Sequence, residues 1–152
     1  MARLKIKLDG FENMLRDIQK AGKDVDKAAR DTIKQSAKIY EQELKSAAKS
    51  SGVPDHIVNE VKAETKAEND RYSAKVGWSL GTYDPTNLSA GYKAMFINYG
   101  TVRRQTKKGY NRGEIPKPTN SARFTTKAKR KANVKIKRLQ QDIINKVQED
   151  IK

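Results

Sequence analysis

Two runs of alternating residues, separated by a polar pair, constrain the fold of this 152-residue chain more than any other feature. Every second residue is uncharged over 61–67, and the same period returns over 72–78. Side chains two residues apart point to the same face of a strand, and Asn69 and Asp70 form a polar turn between the runs. The pattern predicts an antiparallel β-hairpin whose one apolar face must be covered by another layer.

The N-terminal residues predict a short strand and a short helix. Apolar and basic residues alternate over 4–8, which indicates a strand that needs a partner edge. Asp9 and Glu12 then have the spacing of a capping box, in which each side chain bonds an unpaired backbone N–H. Apolar residues at helical spacing follow, so a first helix is predicted over 11–20.

A second helix is predicted over 24–50, where small and apolar residues recur at steps of three and four. Its apolar face is narrow and rich in alanine, so the layer that covers it must come close. Gly52 and Pro54 end the pattern. Residues 55–61 are ambiguous and fit either one helical turn or the start of a strand.

The segment after the hairpin is aromatic. Its large apolar residues stand at positions i, i+3, i+4 and i+7, and they are Tyr92, Met95, Phe96 and Tyr99. This spacing favours a short helix closed by Gly100. A strand is the alternative, since β-branched and aromatic residues are common in strands.

The C-terminal part contains a long polar segment and a final helix. Residues 101–119 show no periodicity and exceed an ordinary connection in length, which predicts a functional loop or a disordered one. Apolar residues at steps of three or four from Ala128 to Ile151 predict an amphipathic helix that starts near Ser121 or only after Asn133.

Together these patterns predict one α+β domain over 1–152. It has short and long N-terminal helices, a small antiparallel sheet built on a β-hairpin, a short aromatic helix and a C-terminal amphipathic helix. A basic loop lies at about 102–119. Apolar residues make up 36% of the chain, below the usual share of about 45–50%. The core must therefore be small, or be completed against copies of the same chain.

Positive charge is concentrated in residues 103–138. This stretch holds fourteen basic residues and one acid, Glu114, while the whole chain has a formal net charge of +15. Such a strip repels itself unless an anion or a neighbouring subunit neutralises it, although a solvated lysine-rich face is the plain alternative. The candidate contacts with DNA or with an acidic partner ring are Arg103, Arg104, Lys107, Lys108, Arg112, Lys127, Arg130 and Lys131.

Several classes of function find no support in the residues. The chain has no cysteine, no apolar run of membrane-spanning length and no signal-peptide pattern, so a soluble protein made in a reducing compartment is expected. Its single histidine, His56, has neither a nucleophile motif nor metal-ligand partners near it. No glycine-rich phosphate loop and no zinc-finger or helix-turn-helix signature is present. We expect no catalysis, no metal and no cofactor, and any contact with DNA to be through phosphates.

Three short segments carry a resemblance to a known family. They are Ala-Lys-Val-Gly at 74–77, Lys-Ala-Met-Phe-Ile-Asn-Tyr-Gly-Thr at 93–101 and Ile-Pro-Lys-Pro at 115–118. In content and order they resemble the tail-component family of long-tailed double-stranded DNA bacteriophages, neck proteins related to tail-completion (tail-terminator) proteins. That family is marked by Val-x-Val-Gly, then Tyr-Ala-x-x-Val-Glu-Phe-Gly-Thr, then Pro-Phe-Leu-x-Pro-Ala.

The chain departs from this family pattern at three places. Asn98 stands where the family has a glutamate, so no charge role carries over to that position. Residues 51–54 are a reduced form of the family's Ala-Pro-x-x-Thr-Gly-x-Leu segment. The basic loop over 103–112 looks like an insertion.

The resemblance implies a structural virion protein of the head–tail joint. Its copies would form a ring, hexameric by analogy, between the tail tube protein and a head-side connector or stopper protein. Double-stranded DNA would pass through without sequence-specific contact, and assembly would take place in the host cytoplasm without a membrane. The residues implied in subunit packing are Tyr92, Phe96, Tyr99, Gly100 and Thr101. A non-specific nucleic-acid-binding protein of a phage or mobile element is the alternative.

Overall fold

The structure is a computed structural model that describes residues 4–5, 11–20, 22, 25–68, 71–81, 84, 87–101 and 113–149. It confirms the α+β prediction. The helices and strands within these ranges are, in chain order, β1 (Leu4–Lys5), α1 (Phe11–Lys20), α2 (Val25–Ser50), α3 (Asp55–Val58), β2 (Lys62–Glu68), β3 (Arg71–Gly77), α4 (Ala90–Tyr99) and α5 (Phe124–Glu149).

The sheet is antiparallel, with strand order β1-β3-β2. The predicted hairpin is confirmed, and its register sets Ala63 opposite Val76. β1 pairs with the other edge of β3, with Leu4 opposite Val76, which supplies the partner edge that its alternation requires. The remainder of that alternation, 6–8, lies outside the described residues, as does Asp9 of the expected capping box.

The core lies between one face of the sheet and the long helix α2. Ala74 and Val76 point inward from β3, and Tyr40 and Leu44 from α2 are buried against the same cluster. α2 contacts both hairpin strands, as a sheet with one apolar face requires. The small side chains on the alanine-rich face of α2 permit this close approach, and Ala37 on that face is only 1% exposed.

α5 packs along α2 in the opposite direction. Glu43, late in α2, pairs with Lys135 of α5, whereas Ala28, early in α2, shares a small cluster with Ile143 near the end of α5. The same cluster buries Met14 of α1. The two long helices therefore form an antiparallel pair, with the sheet and α1 packed against it.

Two ambiguous segments take helical form. Residues 55–61 include the single turn α3, whose Ile57 carbonyl accepts a hydrogen bond of 2.6 Å from Trp78 Nε1. The aromatic segment forms α4 rather than a strand, and Gly100 follows it as its C-terminal cap. For α3, a contact distant in sequence thus accompanies the conformation that local spacing leaves open.

The start of α5 lies between the two predicted positions, at Phe124. This aromatic residue stands among the cations of 103–138 in the sequence, and the structure buries it to 2% exposure. Its ring meets that of Trp78 edge to face, with centroids 5.8 Å apart and an interplanar angle of 73°. Phe124 is thus a core residue from which α5 continues, and its ring is not available to stack on a nucleic acid base.

Candidate interaction surfaces

α4 buries its small residues, and its large residue Ile97 packs, partly buried, against the core. Its buried residues are Ala90, Gly91, Ala94 and Asn98. A Cβ at Gly91 would lie 2.6 Å from the Ser79 carbonyl oxygen, so the backbone of α4 approaches the loop before it closely. The predicted packing residues Tyr92 and Phe96 are only partly buried, and the Tyr99 residue is 43% exposed.

Asn98 caps the helix that follows. Its Oδ1 accepts a hydrogen bond of 3.3 Å from the backbone N–H of Thr125, in the first turn of α5. Its Nδ2 donates to Thr125 Oγ1 at 3.0 Å. A side chain that accepts from a first-turn N–H satisfies a group that the helix itself leaves unpaired. Asn98 is 2% exposed, so the position where the family carries a glutamate is a buried helix cap here.

Gly100 and Thr101 form a junction with Ile115 and Lys117, near the end of the basic loop. Thr101 N–H donates to the Ile115 carbonyl at 2.8 Å, and Ile115 N–H donates to Thr101 Oγ1 at 3.1 Å. Gly100 has a φ of 77°, and a Cβ there would lie 2.6 Å from the Cα of Lys117. The close approach and the left-handed backbone together require glycine. These contacts join the chain on the two sides of the segment 102–114.

Beside this junction lies a cleft that combines an aromatic ring with two cations. The Arg123 guanidinium lies over the Tyr99 ring, 4.8 Å from its centroid. Lys117 lines the same cleft. Arg123 also donates to Asn120 Oδ1 at 3.2 Å, and this bond helps to fix the guanidinium above the ring.

The predicted cations of α5 share one side of the helix. Lys127, Arg130 and Lys131 are exposed and lie opposite the buried residues Ala128 and Ala132. The other five, Arg103, Arg104, Lys107, Lys108 and Arg112, lie outside the described residues. The structure therefore brings three of the eight candidates together on one surface.

No catalytic constellation is visible in the described part of the chain. His56 is exposed on the single turn α3. Within the described ranges no group of three or more His, Cys, Asp or Glu side chains could hold a metal ion. None of the described helices is both long and apolar enough to cross a membrane.

Comparison with known families gives one match, to residues 12–100, from α1 through the α4 cap. The matching family model is described as "Bacteriophage HK97-gp10, putative tail-component". This chain belongs to the HK97-gp10-like family. The family resemblance is confirmed, and the match includes the segment 74–77 and residues 93–100, whereas the segment 115–118 lies beyond it. No curated protein and no solved structure matches the chain.

Membership of the HK97-gp10-like family makes the chain a structural component of a phage tail. Its place is the virion, and its partners are other virion proteins. The matched range ends at Gly100, so the basic loop and α5 lie beyond it. The charged surface of this HK97-gp10-like protein is thus carried by a part of the chain that the family model does not cover.

Proposed function

We propose that this tail component acts at the head–tail joint as a tail-completion, or tail-terminator, protein. Copies of the chain close into a ring, with six subunits by analogy with the neck proteins that the chain resembles. The ring joins the tail tube protein to a head-side connector or stopper protein, and double-stranded DNA passes through it without sequence-specific contact.

The observation that carries this proposal is the orientation of α4. A helix in a monomer normally buries its large apolar side chains in the core, yet the buried residues of α4 are alanine, glycine and asparagine, and its large residues are only partly buried or exposed. Tyr99, at the end of the helix, keeps 43% of its surface exposed beside Gly100 and Thr101. Aromatic residues at a surface are typical centres of protein interfaces, so this side of α4 is suited to packing against a neighbouring copy.

The junction at the loop root supports the same proposal. Both ends of the 102–114 segment are joined by the Thr101–Ile115 hydrogen bonds. Five candidate cations belong to this segment by sequence. Thr101, which precedes this segment, lies two residues after Tyr99. In a ring that packs through α4, the segment would therefore begin at an equivalent point in every subunit.

Imaging of the purified protein, alone and with its tail tube protein, tests the ring. We expect closed rings by negative-stain electron microscopy, and we expect Tyr99→Ser to abolish them. Gln35→Ser is the control, because Gln35 is an exposed residue on α2 and its replacement should leave the rings unchanged. The proposal fails if Tyr99→Ser rings are as frequent as wild-type rings, or if antibody labelling finds the protein away from the head–tail joint.

A second candidate function is non-specific binding of nucleic acid, favoured by the exposed cations of α5. A dedicated binder would hold random-sequence duplex at sub-micromolar concentration in physiological salt. If five phosphates were neutralised, its binding constant would fall with a log–log salt slope of about −4.5. Fluorescence anisotropy over a salt series separates the two candidates, because a conduit protein must bind passing DNA only weakly.

A further inference from the structure

The outward side of α5 combines five cations with one exposed apolar side chain. We call this surface the α5 outer face, and its residues are Lys127, Arg130, Lys131, Val134, Lys137 and Arg138. Val134 is 54% exposed at its centre. Residues three and four positions away are neighbours on a helix surface. All four such neighbours of Val134 are cations, so a single apolar spot is surrounded by positive charge.

None of the five cations forms a salt bridge among the residues that the structure describes. Lys135, which points toward α2, does pair with a carboxylate, that of Glu43. Lys127 and Lys131 stand at i and i+4, where like charges destabilise a helix. They also occupy the N-terminal half of α5, whose dipole favours anions in its first turn. The part of the folded chain that the structure describes therefore supplies no reason for this charge arrangement.

We propose that the α5 outer face docks onto an acidic surface of a different virion protein, and that an apolar side chain of this protein packs against Val134. This inference rests on the proposed function, because it names a partner of the head–tail joint. Protein interfaces have an apolar centre and a polar rim. The α5 outer face has this composition, with Val134 as the centre and arginine and lysine side chains as the rim.

Duplex DNA fits this surface less well. A phosphate backbone contacts cations but has no apolar counterpart for a side chain held at the centre of the contact. Bases would need an aromatic platform, and Phe124 at the start of α5 is buried. A protein surface with carboxylates around an apolar patch satisfies every group of the face.

A second copy of the chain is also a poor occupant. Each copy carries a formal net charge of +15, so repulsion between like charges opposes the approach of a second copy to the face. Some of the acids of the chain are also engaged within it. Asp26 pairs with Arg30, and Glu41 pairs with Lys45. Asp55 of α3 pairs with Lys49. A different, acidic protein therefore fits the face better than a second copy does.

A photo-crosslinking amino acid placed at position 134 of the full chain tests the inference in assembled phage particles. We expect a crosslinked product that mass spectrometry identifies as another virion protein, with the linked peptide rich in Asp and Glu. The same group at Lys34, an exposed position on α2, is the control and should not link to that peptide. A product with DNA, a product with a second copy, or no product at 134 would each overturn the inference.

A charge-reversal pair gives a second, independent measurement. Lys127→Glu with Lys131→Glu should lower the amount of the crosslinked partner recovered with the protein about tenfold. Lys34→Glu with Lys38→Glu has the same residue types, the same spacing and the same exposure on α2, and it should leave recovery unchanged. Equal losses for the two pairs, or no loss for either, would contradict the docking surface.

These results are distinguishable from a failure of the proposed function. If the protein is absent from the head–tail joint, the proposed function fails and takes this inference with it. If the protein forms rings at the joint but position 134 links to no other virion protein, the proposed function stands and only the docking surface is lost.

Discussion

The helices α2 and α5 have the same length and similar buried (inner) faces, but they differ on their solvent-exposed (outer) sides. Each has 26 residues, and each buries alanines at the surface where they meet, with Ala37 and Ala132 at 1% and 0% exposure. On α2 several charges are paired within the chain. Asp26 bonds Arg30 at 2.6 Å and the Tyr72 hydroxyl at 2.5 Å, and Arg30, then Tyr72, hold the pKa of that carboxyl below its usual value.

On α5 the outer cations have no such balance. The helix carries eight basic residues and two acids, against six and four on α2. Packing constrains the inner side of both helices, because both must approach the same core. The outer side is constrained only by solvent and by other molecules. A helix whose outer charges are left uncompensated is therefore the better candidate for contact with a partner, and predictions that separate the two sides test that conclusion.

The largest effect should come from the inner faces, where the two helices are alike. Leu44→Ala on α2 should lower the free energy of unfolding by about 2–5 kcal/mol, and Phe124→Ala on α5 by about 3–5 kcal/mol, because each removes a buried side chain from a close-packed core. Urea denaturation measures both. Val134→Ala on the outer side of α5 should stay within about 0.5 kcal/mol, and a large loss there would contradict the division into inner and outer sides.

The glycines that follow α2 and α4 should differ next. Gly52, after α2, has a φ of 79° and open space around it, so Gly52→Ala should cost about 1–2 kcal/mol from the backbone alone. Gly100→Ala adds a clash with Lys117 Cα at 2.6 Å, and it should cost about 2–4 kcal/mol. Thermal unfolding of both variants checks the order. Equal costs would mean that the backbone at Lys117 moves enough to relieve the clash at little cost in free energy.

A smaller effect concerns polar groups in the inner faces. The Tyr40 hydroxyl on α2 and the Gln140 Nε2 on α5 are buried without a hydrogen-bond partner among the described residues. An unsatisfied buried hydroxyl costs about 1–3 kcal/mol, so Tyr40→Phe should raise the free energy of unfolding by about 1 kcal/mol at pH 7. A loss of stability instead would show that the hydroxyl is satisfied in solution.

The same residue makes a pH prediction. Burial raises the pKa of Tyr40 from 10.0 to about 12, so the unfolded chain loses this proton first as the pH rises. The contribution of the neutral phenol is fully present below pH 10 and is lost between pH 10 and 12, at up to about 1.4 kcal/mol per pH unit. Tyr40→Phe should lack this part of the decline, and the difference between the two unfolding curves at pH 7, 10 and 11 measures it.

The smallest effect should come from the outer sides, with opposite signs on the two helices. Lys131→Glu on α5 places an acid four residues from Lys127 and from Lys135, so at low salt it should stabilise by about 0.3–0.5 kcal/mol. Glu41→Lys on α2 breaks the pair with Lys45 and should destabilise by a similar amount. Both effects should vanish near 1 M salt. The same sign for both variants would remove the contrast between the helices.

Much of the fold follows from local pattern. α1 has the predicted limits, α2 begins one residue later than predicted, and the hairpin occupies the two alternating runs. These elements depend on periodicity, which is a property of neighbours along the chain. Phe124 was missed as a core residue because its immediate neighbours are polar, and its burial depends on residues distant in sequence, such as Trp78, 46 positions away.

The candidate surfaces divide in the same manner. The concentration of cations in 103–138 is fully contained in the sequence, and so are the segments that resemble the phage family. The sequence alone does not say that Asn98 caps α5, or that Thr101 joins Ile115 across the basic loop. Nor does it say that α4 buries its small residues and leaves Tyr99 exposed.

The sequence by itself thus determined the type and limits of most elements, the position of the charge and the family. Only the tertiary structure decided which side of α4 is buried, where α5 begins and that Val134, with the cations three and four residues from it, lies on the exposed side of α5. The physical reason is range. Helical and strand periods arise from backbone geometry over a few residues, whereas burial and caps depend on residues that meet only after the chain has folded.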